Sequence, residues 1–152
     1  MYLALKLIHV VAVVLFLGNI ITGLFWHAHA ARTKDAKLLA HAMSGVIRSD
    51  RLFTVPAVIA IVASGFVAAY YGGYPLLRTG WIFWSLVLFS VSGLSFMFRV
   101  APLQRQLLGL AQASIFEHEK YRRLAIRWEL WGAIALLTPL AALTLMILKP
   151  GI

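Results

Sequence analysis

Four long stretches of the chain contain no Asp, Glu, Lys or Arg, and they constrain the fold more than any other feature. They are residues 7–26, 52–77, 79–98 and 130–148. A bilayer core about 30 Å thick requires roughly 20 helical residues to cross it, and each stretch is about that long or longer. Backbone polar groups in hydrocarbon must be satisfied within the spanning segment, and the alternating pattern of a membrane β-barrel is missing from the sequence. The sequence therefore predicts four transmembrane α-helices.

The composition agrees with a membrane protein and excludes several other classes. Of the 152 residues, 62% are hydrophobic and 12% are charged, whereas soluble domains have about 45–50% apolar and about 25% charged residues. This balance excludes disorder and an ordinary soluble enzyme. The sequence has no cysteine, which excludes disulfides, thiolate metal sites and cysteine nucleophiles. We predict an all-α protein, a single four-helix transmembrane domain over residues 1–152, folded as an antiparallel bundle.

The first apolar stretch could also be a signal peptide, because Ala28, His29 and Ala30 form an A-x-A pattern. Its apolar core of about 20 residues is longer than the usual 7–15 of a signal peptide, and Lys6 is its single preceding cation. We expect the segment to be retained as the first membrane helix.

The positions of the cations predict the orientation. Eleven of the 14 Lys and Arg residues fall in the connections around residues 27–51 and 99–129, and cytoplasmic loops carry the excess of Lys and Arg. Both long connections should be cytoplasmic, and both termini and the turn near residues 71–80 should be periplasmic. The net charge of +9 therefore favours anionic lipid at the cytoplasmic face of the bilayer as a partner, rather than nucleic acid.

The long connections contain further helical signals. Apolar residues recur at helical spacing over residues 34–47, which predicts a short amphipathic helix lying on the cytoplasmic membrane surface. Asp50 is then expected to cap the N-terminus of the second membrane helix. After helix three we expect a kink at Pro102 and a further helix to Gln112. Helix four should begin near Glu117 and bend at Pro139.

Polar residues inside apolar helices are the candidates for chemistry, because they are costly there and usually face the bundle interior. His9 lies two turns into helix one. It could be an axial ligand to haem iron or a proton-handling group, or a neutral imidazole hydrogen-bonded to another helix. Asn19 lies ten residues further on, about 15 Å along the axis, and suits a hydrogen bond between helices.

Three further candidates carry weaker signals. Ser85 belongs to a run of small residues in helix three, which permits close helix packing or leaves room for a flat cofactor. Met146 lies at a depth similar to that of His9 and could be a thioether ligand or a packing residue. His27 and His29 point about 200° apart on a helix, so they form a weak metal pair. The sequence contains no hydrolase triad, P-loop, dinucleotide fingerprint or HExxH motif.

Short motifs across the chain carry a resemblance to known families. The segment at residues 5–11, with residues 15–18, resembles the first helix of a group of small bacterial membrane proteins. That group includes HemJ-type protoporphyrinogen oxidase and the membrane part of copper-resistance D proteins. The chain is also similar, more closely, to an uncharacterised family of predicted integral membrane proteins. That similarity involves residues 32–35, 50, 53–54, 56–57, 81, 101–104, 146 and 149–150.

The resemblance implies a cofactor. A histidine in the first helix of the HemJ type is an expected haem b ligand, and His9 occupies that place. The HemJ type also has a lysine shortly after the tryptophan that opens its third helix, and alignment on Trp81 places Ser85 there. The resemblance therefore implies haem binding without implying protoporphyrinogen oxidase activity.

Three functions follow as hypotheses. The first is a haem b-binding protein of the bacterial inner membrane, acting in electron transfer or as a haem-dependent oxidoreductase. His9 would be the metal ligand, and Asn19, Ser85 and Met146 would lie around the cofactor. A redox partner or a quinone would then be needed. The second is a non-enzymatic scaffold or assembly factor, and the third is copper handling through His9 and Met146. A homo-oligomer is left open in each case.

Overall fold

The computed structural model describes residues 2–151, which form six α-helices and two π-helical turns. The α-helices are α1 (Tyr2–Ala31), α2 (Ala36–Ser49), α3 (Val55–Tyr71), α4 (Gly80–Ser95), α5 (Ala101–Gln112) and α6 (His118–Leu148). The π-helical turns are Asp50–Thr54 and Phe96–Val100. They join α2 to α3 and α4 to α5 without a break, so the chain forms four continuous helical rods. The prediction of an all-α bundle with four membrane-spanning helices is confirmed.

The four rods are longer than a membrane requires. They contain 30, 36, 33 and 31 residues, or about 45–54 Å at 1.5 Å per residue, against a hydrocarbon core of about 30 Å. One end of the bundle carries the α1–α2 and α5–α6 connections, and we call it the connection end. The other carries both termini and the α3–α4 turn, and we call it the terminal end.

The rods associate as two pairs. In the first pair, α1 packs along α3, and in the second, α4 packs along α6. The pairs meet toward the connection end, where α2 packs on α5 and α1 on α6. The fully buried side chains of Leu39, Met43 and Leu107 form the centre of the core there.

The amphipathic segment between α1 and the second membrane helix is helical as predicted, but its predicted position on the membrane surface is wrong. Helix α2 begins after Asp35, whose carboxylate accepts the Lys37 and Leu38 amides and caps the helix. Its apolar residues Leu39 and Met43 are buried against protein rather than lipid. The physical reason is that α2 continues into α3, which holds it upright against α5.

The predicted N-cap at Asp50 is also wrong. Asp50 has helical backbone angles and lies inside the second rod, in the first π-helical turn. Its carboxylate accepts hydrogen bonds from other rods instead of capping its own.

Prolines explain both π-helical turns. Pro56 and Pro102 each lie two residues beyond a π-helical turn, and proline lacks the N–H that would bond to the carbonyl four residues earlier. Each turn shifts the bonding by one residue: the Val55 amide bonds to the Asp50 carbonyl, and the Ala101 amide to the Phe96 carbonyl. The rods therefore continue through the prolines, and α5 ends at Gln112 as predicted.

A third proline is compensated by a neighbouring helix. Pro139 lies buried inside α6, and its missing N–H leaves the Ala135 carbonyl without its usual partner. The Ser92 hydroxyl of α4 donates to that carbonyl at 2.6 Å. A small polar side chain of helix α4 thus stabilises the α4–α6 pair at the position of the proline.

Candidate functional site

A large cleft lies between the two helix pairs at the terminal end of the bundle. Its volume is about 610 Å³, and its walls come from α1, α3, α4 and α6. Most of the lining side chains are apolar, and Phe16 and Phe89 lie against one another with ring centroids 5.6 Å apart. Ligand cavities usually measure about 300–1,000 Å³ and combine apolar walls with a few polar groups. The cleft therefore has the size and character of a binding site for a large apolar group.

His9 is held against α3 in one orientation. Its Nδ1 lies 2.9 Å from the Ile61 carbonyl oxygen and 3.3 Å from the Ser64 hydroxyl. A carbonyl only accepts, so Nδ1 carries the proton and donates it to Ile61. The other ring nitrogen, Nε2, makes no hydrogen bond and is not buried, and His9 lines the cleft. The neutral imidazole thus presents an unshared electron pair on Nε2.

Gly65 makes this position of the imidazole possible. A Cβ at Gly65 would lie 3.0 Å from Cε1 and 3.3 Å from Nδ1 of His9. Distances this short are rare for real side chains, so any larger residue would require the imidazole to move by a few tenths of an ångström. The absence of a side chain at Gly65 therefore contributes to the site.

The structure brings together three of the four predicted site residues. His9, Ser85 and Met146 all line the cleft. The Ser85 hydroxyl donates to the carbonyls of Trp81, at 2.7 Å, and Ala142, at 3.2 Å. Ser85 therefore links α4 to α6, and its small side chain forms part of the cleft wall.

Asn19 lies elsewhere, in a polar cluster around Asp50. Its Nδ2 donates to Asp50 at 2.9 Å and to the Thr54 hydroxyl at 2.8 Å. The Thr54 hydroxyl and Gln104 Nε2 also donate to the Asp50 carboxylate, at 2.9 and 2.8 Å. Asn19 thus has the interhelical role that its position in an apolar helix suggested, and Asp50 is the shared acceptor of three rods.

A second buried polar group joins the two pairs. His27 is fully buried, although the sequence placed it in a cytoplasmic connection. Its Nε2 lies 3.0 Å from the Tyr121 hydroxyl, and its Nδ1 lies 3.6 Å from a Glu129 oxygen. His29 is exposed and stacks on Phe25, so the two histidines do not converge. Among residues 2–151 no group of three His, Asp or Glu side chains is placed to hold a metal ion.

Sequence reasoning missed the cations at the mouth of the cleft. Lys6 and Lys149 are the charged residues in its wall. Lys6 precedes His9 by three residues, and residues at this spacing share a helix face, so the pattern could have indicated it. Lys149 lies just beyond the end of α6 with a φ of 44°, and no sequence signal places it at the mouth of the cleft.

Comparison with known proteins identifies a family without an assigned activity. Residues 3–150 match the family described as predicted integral membrane protein (DUF2269). Searches of curated proteins and of solved structures gave no match. Because the match covers nearly the whole chain, the protein belongs to the DUF2269 family of predicted integral membrane proteins.

Proposed function

We propose that this protein binds haem b in the cleft, with His9 as an axial ligand, and acts in electron transfer or haem-linked oxidation. The observation that carries the proposal is the hydrogen bond from His9 Nδ1 to the Ile61 carbonyl. Histidines that bind metals commonly donate their other ring N–H to a backbone carbonyl or a carboxylate, which fixes the tautomer and makes the ligating nitrogen more basic.

The cleft fits a porphyrin in several respects. Its volume of about 610 Å³ and apolar walls suit a large flat molecule, and the small Ser85 leaves space on the α4 side. Met146 is a second residue of the cleft with a metal-binding atom, and its thioether would be a further group that could hold the iron.

Each residue has a defined task under this proposal. Haem, when bound, would supply one-electron redox chemistry. His9 would hold the iron, and the Ile61 carbonyl would orient the imidazole and increase its basicity. The apolar walls around Phe16 and Phe89 would exclude water, and burial of this kind tunes a reduction potential. A redox partner or a quinone would receive or supply the electron.

The test is the visible spectrum of the purified protein after expression with ample haem. We expect a Soret band and, on reduction, α and β bands. The variant His9→Ala should lose or visibly alter this spectrum while inserting as a stable monodisperse protein. His29→Ala is the matched control, because His29 lies on the same helix and is exposed; its spectrum should equal that of the wild type.

A second variant tests the orientation of His9 without removing the ligand. Gly65→Ala should keep haem but shift its bands or weaken its binding, because the imidazole must move by a few tenths of an ångström to accommodate the added Cβ. Gly18→Ala is the control, since nothing lies within 4 Å of a Cβ there. Wild-type protein that takes up no haem would contradict the proposal and favour the function of a scaffold or assembly factor. Copper bound in place of haem would favour copper handling through His9 and Met146.

A further inference from the structure

The mouth of the cleft is cationic. Lys6 on α1 and Lys149 after α6 are both exposed and both line the cleft. The Lys149 ammonium lies 5.3 Å from the centroid of the Trp81 ring, a distance that allows a cation–π contact. This contact directs the ammonium toward the wall of the cleft rather than into open solvent.

Within residues 2–151, no acidic side chain is placed near these two lysines. The five acids are Asp35, Asp50, Glu117, Glu119 and Glu129, and all belong to the connection-end half of the bundle. The ion pairs found within residues 2–151 involve Glu117, Glu119 and Glu129. Two cations beside an apolar cavity, with no acid nearby, attract an anion to the mouth.

We propose that Lys6 and Lys149 bind the two carboxylates of a porphyrin whose ring fills the cleft. This inference rests on the haem-binding function proposed above and specifies how the ligand is oriented. Lys6 lies one helical turn from His9 toward the terminal end, so its ammonium reaches the mouth on the same face as the ligating imidazole. The carboxylate edge of the porphyrin faces the mouth, and the opposite, apolar edge lies toward Phe16 and Phe89.

The charge balance supports a dicarboxylate over a neutral ligand. Each ammonium can donate a charge-assisted hydrogen bond to one carboxylate. A neutral apolar ligand would offer neither ammonium an anionic acceptor. A ligand with two acidic groups on one edge and an apolar body matches the two lysines and the cleft together.

The experiment compares haemin with haemin dimethyl ester, in which both carboxylates are masked. The full chain in detergent is titrated with each porphyrin and binding is followed by absorbance. We expect Lys6→Gln and Lys149→Gln each to weaken haemin binding by about two- to fivefold, as for exposed ion pairs, and the double variant by about tenfold. The ester should bind the wild type about as weakly as haemin binds the double variant, and the lysine substitutions should not affect it.

The matched control is Arg78→Gln. Arg78 is a cation of the α3–α4 turn at the same end of the bundle, and it does not line the cleft, so its removal should leave haemin binding unchanged. Equal affinities of haemin and its ester for the wild type, or haemin binding that neither lysine substitution weakens, would overturn this inference. Loss of binding in His9→Ala would still support the proposed function. A wild type that binds neither porphyrin would overturn both.

Discussion

The substitution Gln104→Leu tests whether the Asp50 cluster holds the two helix pairs together. Gln104 on α5 is buried, and its Nε2 donates to Asp50 Oδ2 at 2.8 Å. The other donors to Asp50, Asn19 and Thr54, bond to Oδ1. Leucine is similar in size to glutamine but has no donor, so the substitution leaves Oδ2 without its protein partner.

The expected loss follows from two contributions. A hydrogen bond between membrane helices contributes about 0.6 kcal/mol on average and about 1.7 kcal/mol at most. A buried acceptor left without a partner costs roughly 1–3 kcal/mol. A small cavity of about 20 Å³ borders Asp50 and Gln104, enough space for one water molecule that would partly hydrate Oδ2. We therefore expect a destabilisation of about 2 kcal/mol, toward the lower end of the sum.

The measurement is reversible unfolding of the detergent-solubilised protein by increasing fractions of sodium dodecyl sulfate. Gln106→Leu is the control, because Gln106 lies on the same helix and is exposed, and such changes usually stay within about 0.5 kcal/mol. The double variant Asp50→Leu, Gln104→Leu should be more stable than Gln104→Leu alone, because it removes the carboxylate oxygen left without a donor and Asn19 keeps its bond to Thr54. The reasoning is refuted if Gln104→Leu is as stable as Gln106→Leu.

Two further predictions follow from the fold. Ser92→Ala should lower the free energy of unfolding by about 1 kcal/mol. In a Pro139→Ala background the loss should be small, because residue 139 regains an N–H for the Ala135 carbonyl. Additive losses in a double-mutant cycle would contradict this. A reporter that works only in the periplasm should be active when fused at Gly73, and a reporter that works only in the cytoplasm should be active when fused at Ser114. This follows because 11 of the 14 Lys and Arg residues lie on the connection side. A cytoplasmic reporter active at Gly73 would overturn the orientation.

The rods could be predicted because hydropathy and length suffice for helices in a membrane. What the pattern could not show is how the rods continue. The periodicity of residues 34–47 indicates a helix with one apolar face, but the same face fits lipid or protein. Only the π-helical turn at Asp50–Thr54 makes α2 an upright extension of α3. Pro56 accompanies that turn, but a proline at this place is equally compatible with a kink or with the start of a separate helix.

The sequence singled out three residues that line the cleft, His9, Ser85 and Met146, and His9 carried the strongest signal. His9 is an ionisable group in an apolar helix, and this singled it out. The residues that define its geometry carry no such signal: Ile61 contributes a carbonyl and Gly65 contributes only space. Asn19 carried the same signal as His9 but belongs to the Asp50 cluster, because the partner of a polar residue depends on which rods are neighbours.

The distribution of polar contacts explains why the bundle has a cleft at one end. Within residues 2–151, the side-chain hydrogen bonds between the two helix pairs are Gln104 to Asp50 and His27 to Tyr121, both in the connection-end half. In the terminal-end half, the hydrogen bond of His9 joins α1 to α3 and that of Ser85 joins α4 to α6, so neither connects the two pairs. Side-chain hydrogen bonds therefore join the described parts of the two pairs only in the connection-end half. An occupant of the cleft would add packing between the pairs beyond the contact of Phe16 with Phe89.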